Sequence, residues 1–465
     1  MNRLRGELIS PEAALHLSEP MARELYKKYQ NPGLATMLNL VGFDKTYASA
    51  SGTVIKDLQG NEYLDFLAGY GSLNLGHNPE KVLEAVEAVS MRPNILQLSI
   101  NPISAALAHN LALLAPGNLG RTFFCNSGTE AVEGALKLAK AALGKKSIVF
   151  CQNSFHGKTM GSLSVTGRKK YRKEFVPLVP NCIEIPFGDA GALEEILKKN
   201  SDIAAFIVEP IQGEGGINVP PEGYLRQVRR LCSEYNVLLI LDEVQTGLGR
   251  TGKLFACEHE DVEPDILCLA KSLGGGVMPI GAFITTEVLW NKAYGGIEKS
   301  TLHTSTFGGN TRAAAAGLAT IQEIIGNDLP GAAAEKGKYI LEKLNSMKEN
   351  YPLIKDVRGK GLLIGLEFAE PGSLTNKLTG GIAGKLAREY VGSLVAGDLY
   401  RQGKVLTAYT LNNPNVIRLE PPLTVSYDEI DKMLQALNSV LKKNSSTFRV
   451  ALSGIKNVIA SKLNS

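Results

Sequence analysis

Residues 237–243 read Val-Leu-Leu-Ile-Leu-Asp-Glu, an apolar run that ends in two carboxylates. Similar short apolar runs recur between residues 80 and 325, separated by helical stretches, at Thr122–Cys125, Ile148–Cys151, Ala204–Val208, Ile266–Leu269 and Ile280–Ile284. Runs that are apolar at every position are typical of parallel strands buried on both faces. The pattern therefore predicts an α/β fold with a mostly parallel sheet covered by helices.

The rest of the chain suggests a second, smaller α+β domain built from both ends of the sequence. Gly60-Asn61 lies between two short β segments and predicts a hairpin in the N-terminal part. We predict an N-terminal segment of the small domain, a large domain, a C-terminal small domain and a terminal amphipathic helix at residues 1–75, 76–328, 329–445 and 446–465. In that last segment, apolar residues recur at helical spacing at Phe448, Leu452, Ile455, Ile459 and Leu463.

Composition excludes several classes of function. The chain has 465 residues, 44% hydrophobic and 21% charged, with a net charge of +4, which predicts neither nucleic-acid nor membrane binding. Its six cysteines show no C-x-x-C spacing and no zinc-ligand pattern, so we expect free thiols, no metal and a cytoplasmic protein. The basic run at residues 168–173 is either a solvated loop or a site for an anionic partner.

Two strands of the predicted sheet end in residues that suit one chemistry. Leu267-Cys268-Leu269-Ala270 leads into Lys271, and lysine is rare at the end of a buried strand. Parallel strands would present Lys271 and Asp242 together at their carboxyl ends, where α/β sheets bind ligands. Pyridoxal phosphate (PLP) chemistry needs such a pair: a lysine that forms a Schiff base and moves a proton, and a carboxylate that keeps the pyridine nitrogen protonated. Taken alone, Lys271 could also be a lysine that reaches the surface.

An apolar strand that ends in Asp-Glu also occurs in ATPases, where it binds Mg²⁺. That interpretation needs a phosphate loop of the form G-x-x-x-x-G-K-[ST]. The nearest match begins at Gly247, but Leu254 occupies the place of the metal-binding hydroxyl and the segment follows the Asp-Glu strand. The sequence therefore disfavours an ATPase.

A turn at residues 126–130, Asn-Ser-Gly-Thr-Glu, lies between the strand Arg121–Cys125 and a helical stripe of apolar residues. Such a turn offers free backbone N–H groups and the positive end of a helix dipole to an anion. It predicts a phosphate site, although an ordinary helix N-cap would have the same sequence.

Several motifs occur in a fixed order: Asn126–Glu130, Ser154-Phe-His-Gly157, Glu209-Pro-Ile-Gln-Gly-Glu-Gly-Gly216, Leu241-Asp-Glu-Val-Gln-Thr-Gly247, Ala270-Lys271 and Thr306-Phe-Gly-Gly-Asn310. Together they resemble the class III aminotransferases of PLP fold type I, over residues 30 to 440. Within that family, three stretches look like the putrescine-using subfamily: Phe255–Glu260, Pro264–Gly281 and Ile417–Leu423.

The resemblance implies a PLP cofactor and assigns the catalytic roles to Lys271 and Asp242. Lys271 would form the Schiff base and Asp242 would bind the pyridine nitrogen. The other cofactor-binding residues would be Gly128, Thr129, Phe155, His156, Val244, Gln245 and Thr306. Since Thr306 would reach the phosphate from the other subunit, the resemblance implies a homodimer with shared active sites, with pairing into tetramers left open.

The resemblance also implies a substrate gate made by Glu214 and Arg418. Arg418 would bind the carboxylate of 2-oxoglutarate, and Glu214 would neutralise Arg418 when the amine has no such carboxylate. A permanent structural ion pair is the alternative. Glu209 would support the site. Lys158 stands where members that use amino acids carry arginine, which favours a diamine donor because lysine lacks arginine's planar fork.

We therefore expect transfer of an amino group from putrescine, or a similar diamine, to 2-oxoglutarate, giving 4-aminobutanal (which cyclises to 1-pyrroline) and glutamate. Ornithine, acetylornithine or 4-aminobutyrate are alternative donors. An aminomutase, a racemase or an amine–pyruvate transaminase are rivals within the fold. A PLP-binding regulator without turnover is a rival of another class, and it would need a DNA-binding module that the first 75 residues do not suggest.

Overall fold

The computed structural model describes residues 8–96, 98–369 and 382–443. The predicted amphipathic helix at 446–465 lies outside these residues. The α-helices are Pro11–Leu15, Glu19–Tyr29, Pro32–Val41, Ala68–Gly71, Glu80–Ala88, Pro102–Leu114, Gly128–Leu143, Met160–Ser164, Lys169–Arg172, Ala190–Lys199, Tyr224–Glu234, Glu287–Tyr294, Thr311–Gly326, Leu329–Asn350, Ile382–Gly403 and Tyr427–Lys443. Short 3-10 helices are Lys173–Phe175, Ala256–Glu260, Lys271–Gly274 and Ile297–Lys299.

The strands, in chain order, form three sheets. They are β1 (Tyr47–Ser51), β2 (Val54–Asp57), β3 (Glu62–Asp65), β4 (Leu119–Cys125), β5 (Ser147–Cys151), β6 (Cys182–Ile185), β7 (Ile203–Val208), β8 (Leu238–Asp242), β9 (Ile266–Leu269), β10 (Gly281–Thr286), β11 (Ile354–Lys360), β12 (Leu363–Phe368), β13 (Val405–Leu406), β14 (Ala408–Tyr409) and β15 (Val416–Leu419).

The central sheet has seven strands in the order β4-β10-β9-β8-β7-β5-β6. Its strands run parallel except for β10, which is antiparallel to β4 and β9. All residues of β5, β7, β8 and β9 are buried, because the two faces of the sheet pack against different apolar clusters. This confirms the predicted α/β fold with a covered, mostly parallel sheet.

Two smaller sheets surround the large one. The first joins the ends of the chain, since β13 pairs in parallel with β3 and the predicted hairpin β2–β3 lies beside it. The second has the order β11-β12-β15-β14 and packs against the helix Leu329–Asn350. The pairing of β3 with β13 agrees with a small domain built from both ends, while the exact domain boundaries stay a prediction.

Several local predictions needed correction. Sequence analysis did not predict the three helices between Pro11 and Val41 or the strands β6 and β11. The basic run at 168–173 is not a simple loop. It contains the short helix Lys169–Arg172, where Arg172 lies 5.2 Å over the ring of Phe150 and 3.1 Å from the carboxylate of Glu184.

The six cysteines are free thiols, and five of them are buried. Burial raises the pKa of Cys151 and Cys232 to about 12, so these thiols stay protonated at neutral pH. Among the described residues, no helix is both long enough and apolar enough to cross a bilayer.

Candidate functional site

A cavity of about 650 Å³ lies at the carboxyl ends of β8 and β9. Ligands of α/β sheets bind at this edge because the loops that leave the strands surround it. The cavity brings together most of the residues that the sequence singled out: Gly128, Thr129, Phe155, His156, Lys158, Glu209, Glu214, Asp242, Val244, Gln245 and Lys271.

Asp242 is the last residue of β8, where it lies opposite Cys268 of β9. Its Oδ2 is 2.7 Å from Nδ1 of His156, and its Oδ1 accepts a hydrogen bond of 3.1 Å from the backbone N–H of Val244. The second ring nitrogen of His156, Nε2, is buried without a hydrogen-bond partner in the part of the chain that the structure describes. These contacts hold the Asp242 carboxylate in one orientation at the cavity wall.

Lys271 comes two residues after the end of β9 and has a φ of +45°, which residues other than glycine seldom adopt. Such strain is concentrated at functional sites, where the surrounding structure enforces it. Burial lowers the pKa of Lys271, and the charges of Glu420 and Glu214 partly oppose this shift. A lower pKa increases the fraction of neutral amine, which is the form that acts as a nucleophile or a base.

The helix Gly128–Leu143 begins at the cavity. The Ser127 side chain caps the helix by accepting a hydrogen bond from the N–H of Glu130, and the predicted apolar stripe along the helix is buried. A Cβ atom on Gly128 would come within 2.8 Å of Val244 Cγ1, so glycine lets the backbone approach closely here. The first N–H groups of a helix have no partner within it, and they can bind an anion.

The side chain of Thr129 contacts two neighbouring hydroxyls, and its predicted role in phosphate binding stays a prediction. Its hydroxyl lies 2.8 Å from Oγ1 of Thr159 and 2.6 Å from Oγ of Ser162. The hydroxyl therefore belongs to a small cluster beside the cavity, while the backbone of Thr129 remains in the first turn of the helix.

Arg418 of β15 is fully buried behind the cavity, and its Nη2 donates to Oε2 of Glu214 at 2.6 Å. Oε2 of Glu214 also accepts a hydrogen bond of 2.8 Å from the backbone N–H of Leu411. Burial opposes the ionisation of Glu214, but the charge and hydrogen bond of Arg418 outweigh it and lower the pKa of this carboxyl. Burial likewise opposes the charge of Arg418, yet Glu214 and Glu420 raise its pKa. The predicted ion pair is therefore present, with both partners charged.

Glu209 and Lys158 both lie close to Phe155. Glu209 accepts hydrogen bonds of 2.9 Å from the backbone N–H groups of Phe155 and Gly213. Burial raises the pKa of Glu209 to about 7, despite the nearby charge of His156. Lys158 is exposed at the rim, with Nζ 5.0 Å from the ring centre of Tyr171 and 5.9 Å from that of Phe155.

Thr306 lies away from this cavity. It lines a second one of about 470 Å³, together with Asn94, Thr122 and Asn310. Its expected reach to the phosphate of another subunit stays a prediction.

Sequence reasoning missed two residues beside Arg418. Glu420 is fully buried and accepts a hydrogen bond of 3.2 Å from Nε2 of Gln245, and the ring of Tyr70 lies 5.1 Å from the guanidinium of Arg418. Because alternate residues of an extended chain share a face, the spacing of Arg418 and Glu420 could have indicated Glu420. No comparable signal points to Tyr70.

The residues present fit PLP. An oriented carboxylate, a lysine with a lowered pKa and a glycine-opened helix N-terminus suit its pyridine nitrogen, its aldehyde and its phosphate, respectively. The fold and the site thus define a PLP-dependent protein of fold type I. A family model described as "Aminotransferase class-III" matches residues 41–441, and the chain belongs to this PLP-dependent family.

Known relatives agree with this assignment. The chain is 44% identical to a putrescine aminotransferase of Pectobacterium atrosepticum, over 96% of this chain and 93% of that protein. It is 42% identical to the aminotransferase PigE of a Serratia species, over 89% of this chain, but it spans only 52% of PigE. A structure of the ornithine aminotransferase of Toxoplasma gondii, described as having partial occupancy of PLP at its active site, superposes with a TM-score of 0.82 at 31% identity, covering 93% and 98% of the two chains.

Proposed function

We propose that this protein transfers a terminal amino group from a diamine, putrescine, to 2-oxoglutarate. The products are 4-aminobutanal and glutamate, and the aldehyde cyclises to 1-pyrroline with loss of water. The 44% identity to a protein named putrescine aminotransferase supports this choice of donor.

The observation that carries the proposal is the buried pair of Arg418 and Glu214 beside the cavity that Lys271 lines. An aminotransferase must admit two unlike substrates to one site. With Glu214 on Arg418, the cavity offers no unpaired arginine, which suits an amine without a carboxylate. When Glu214 gives way, Arg418 can bind the distal carboxylate of 2-oxoglutarate in a two-point contact.

The presence of a lysine at position 158 also supports a diamine donor. Its ammonium lies near the rings of Tyr171 and Phe155 at the rim, in a cation–π arrangement. Lysine gives a point charge there instead of a planar fork, so it grips a carboxylate less firmly than arginine would.

PLP, when bound, supplies an electron-withdrawing ring that stabilises the charge left when the donor carbon loses its proton. Lys271 Nζ takes that proton and returns it, and its lowered pKa increases the fraction of neutral amine that can do so. Asp242 provides a negative charge for the ring nitrogen, and His156 orients the carboxylate through the 2.7 Å contact. Glu209 holds the backbone of Phe155, which lines the cavity beside the place for the ring.

We further propose that two copies of the chain form the working enzyme. Thr306 belongs to a surface where large apolar side chains are exposed, including Leu98 and Ile100 at 99% and 91%. Exposed apolar patches of this kind mark protein interfaces. Burying this surface against a second copy would bring Thr306 next to a partner's residues.

Ornithine is the second candidate donor, since the Toxoplasma gondii ornithine aminotransferase shares the fold at 31% identity. The test is a comparison of kcat/KM for putrescine, ornithine, acetylornithine and 4-aminobutyrate with 2-oxoglutarate as the acceptor. We expect putrescine to lead by at least about tenfold, equivalent to roughly 1.4 kcal/mol of transition-state stabilisation. A higher value for any donor that carries a carboxylate would overturn the diamine assignment and leave the family assignment intact.

A further inference from the structure

Arg418 has a second carboxylate neighbour besides Glu214. Oε2 of Glu420 lies 3.6 Å from Nη1 of Arg418 and accepts the 3.2 Å hydrogen bond from Gln245. Both Arg418 and Glu420 have zero exposed surface, and Oε1 of Glu420 is buried without a hydrogen-bond partner among the described residues.

The two carboxylates differ in how they are held. Glu214 lines the cavity. Glu420 follows β15, and its backbone N–H donates to the carbonyl of Phe66 at 2.8 Å. The next carbonyl, that of Pro421, accepts a 2.5 Å hydrogen bond from the buried Arg250. Glu420 thus lies behind the cavity at the end of a strand, whereas Glu214, which is also held by the N–H of Leu411, lines the space that substrates enter.

The charges of this cluster do not cancel. Arg418 contributes +1 and the two carboxylates contribute −2, so these three groups sum to −1, while the buried Arg250 and Lys271 add positive charge near Glu420. We infer that the charge of Glu420 makes the region behind the cavity more negative and so favours donors with a distal ammonium over donors with a distal carboxylate. The inference rests on the proposed function and names the residue that sets its donor class.

The charge count gives the direction of the effect. A distal ammonium brings the cluster from −1 to 0, whereas a distal carboxylate brings it to −2. Replacing Glu420 with glutamine raises each sum by one, so it removes an attraction for the ammonium and a repulsion of the carboxylate. These interactions are strong because the groups are buried away from water. The glutamine carbonyl can still accept the hydrogen bond from Gln245. The substitution therefore removes the charge of residue 420 while it keeps the size of the side chain and this hydrogen bond.

The test compares PLP-loaded wild type with E420Q and E420D. The matched control is E287Q, since Glu287 pairs with Arg121 at 2.6 Å but both side chains are exposed. We would measure kcat/KM for putrescine and 4-aminobutyrate, the KM for 2-oxoglutarate, and the Kd of glutarate from the change in cofactor absorbance.

For E420Q we expect the ratio of kcat/KM for putrescine over 4-aminobutyrate to fall at least about tenfold, and glutarate to bind at least about threefold more tightly. The KM for 2-oxoglutarate should fall as well. E420D keeps the charge and should retain the wild-type ratio within about threefold, as should E287Q.

An equal loss with both donors and an unchanged glutarate Kd in E420Q would mean a merely structural role and would overturn the inference. A tenfold fall of the ratio in E420D would overturn it too, which keeps the idea testable if E420Q fails to load PLP. If wild type does not turn over putrescine, the proposed function fails, and the effect of E420Q on the glutarate Kd then decides the inference on its own.

Discussion

The guanidinium of Arg418 lies 2.6 Å from the carboxylate of Glu214, although 204 positions separate the two residues in the chain. Arg418 is held by β15 of a small sheet, and Glu214 by a loop that leaves the central sheet after β7. The pair therefore joins two parts of the fold at the wall of one cavity. Under the proposed function, the two half-reactions would place opposite demands on this contact.

Replacing Arg418 with lysine should separate the half-reactions. Lysine keeps a positive charge for Glu214 and Glu420 but loses the two-point contact with a carboxylate. We expect the KM for 2-oxoglutarate to rise roughly 10- to 100-fold, with little change for putrescine. Single-turnover measurements of each half-reaction would check this, with R121K at an exposed pair as the control. Equal effects on both substrates would favour a permanent structural ion pair.

Replacing Lys271 with alanine should abolish the proton transfer. A positioned general base contributes typically about 10²- to 10⁴-fold, so we expect kcat to fall by at least that factor. The cavity and the Gly128 helix remain, so PLP should still bind, as absorbance after gel filtration would reveal. K56A, at an exposed pair with Glu62, serves as the control. Full activity of K271A would rule out Lys271 as the catalytic base.

Replacing Gly128 with alanine should weaken PLP binding. The new Cβ would lie 2.8 Å from Val244, so the first turn of the helix must shift. We expect the Kd for PLP to rise at least about tenfold, measured by titration of the apoprotein. Gly144, at the other end of the same helix, has a φ of +67° and open space around it. G144A should cost about 1 kcal/mol of stability but leave the PLP Kd unchanged. An equal rise of the PLP Kd in G128A and G144A would argue against a phosphate site at the N-terminus of this helix.

Glu209 should make stability depend on pH. Burial raises the pKa of its carboxyl from a usual value near 4.5 to about 7. The folded protein then holds a proton that the unfolded chain has released, so this carboxyl reduces the free energy of unfolding as pH rises from 4.5 to 7, by about 3 kcal/mol. In E209Q that loss should disappear. The melting temperature of E209Q minus that of wild type should therefore be larger at pH 8 than at pH 5. A difference that does not change with pH would contradict the raised pKa.

The sequence predicted the central sheet well because its strands are buried on both faces. The run Ala204–Val208, for example, has no polar residue and lies within β7. The helices between Pro11 and Val41 were missed because they are short and bury little: the first two have no buried residue.

The site also contains some residues that local sequence predicts and others that only the folded structure reveals. Asp242 ends β8 and Lys271 comes two residues after the end of β9, so local sequence was enough to predict that both lie at one edge of the sheet. The contact of Glu420 with Gln245 joins residues 175 positions apart, and only the folded chain reveals it. The predicted contact of Thr306 with the phosphate would need a second copy of the chain and stays a prediction.

The most direct test of the proposed reaction is its stoichiometry. Purified, PLP-loaded protein would be incubated with putrescine and 2-oxoglutarate, and 1-pyrroline and glutamate would be quantified in the same samples over time. The account predicts that the two products form in a one-to-one ratio during turnover, that without 2-oxoglutarate 1-pyrroline stops at about one equivalent per active site and no glutamate forms, and that without putrescine neither product forms. Glutamate formation from ornithine, acetylornithine or 4-aminobutyrate, together with no 1-pyrroline from putrescine, would contradict it.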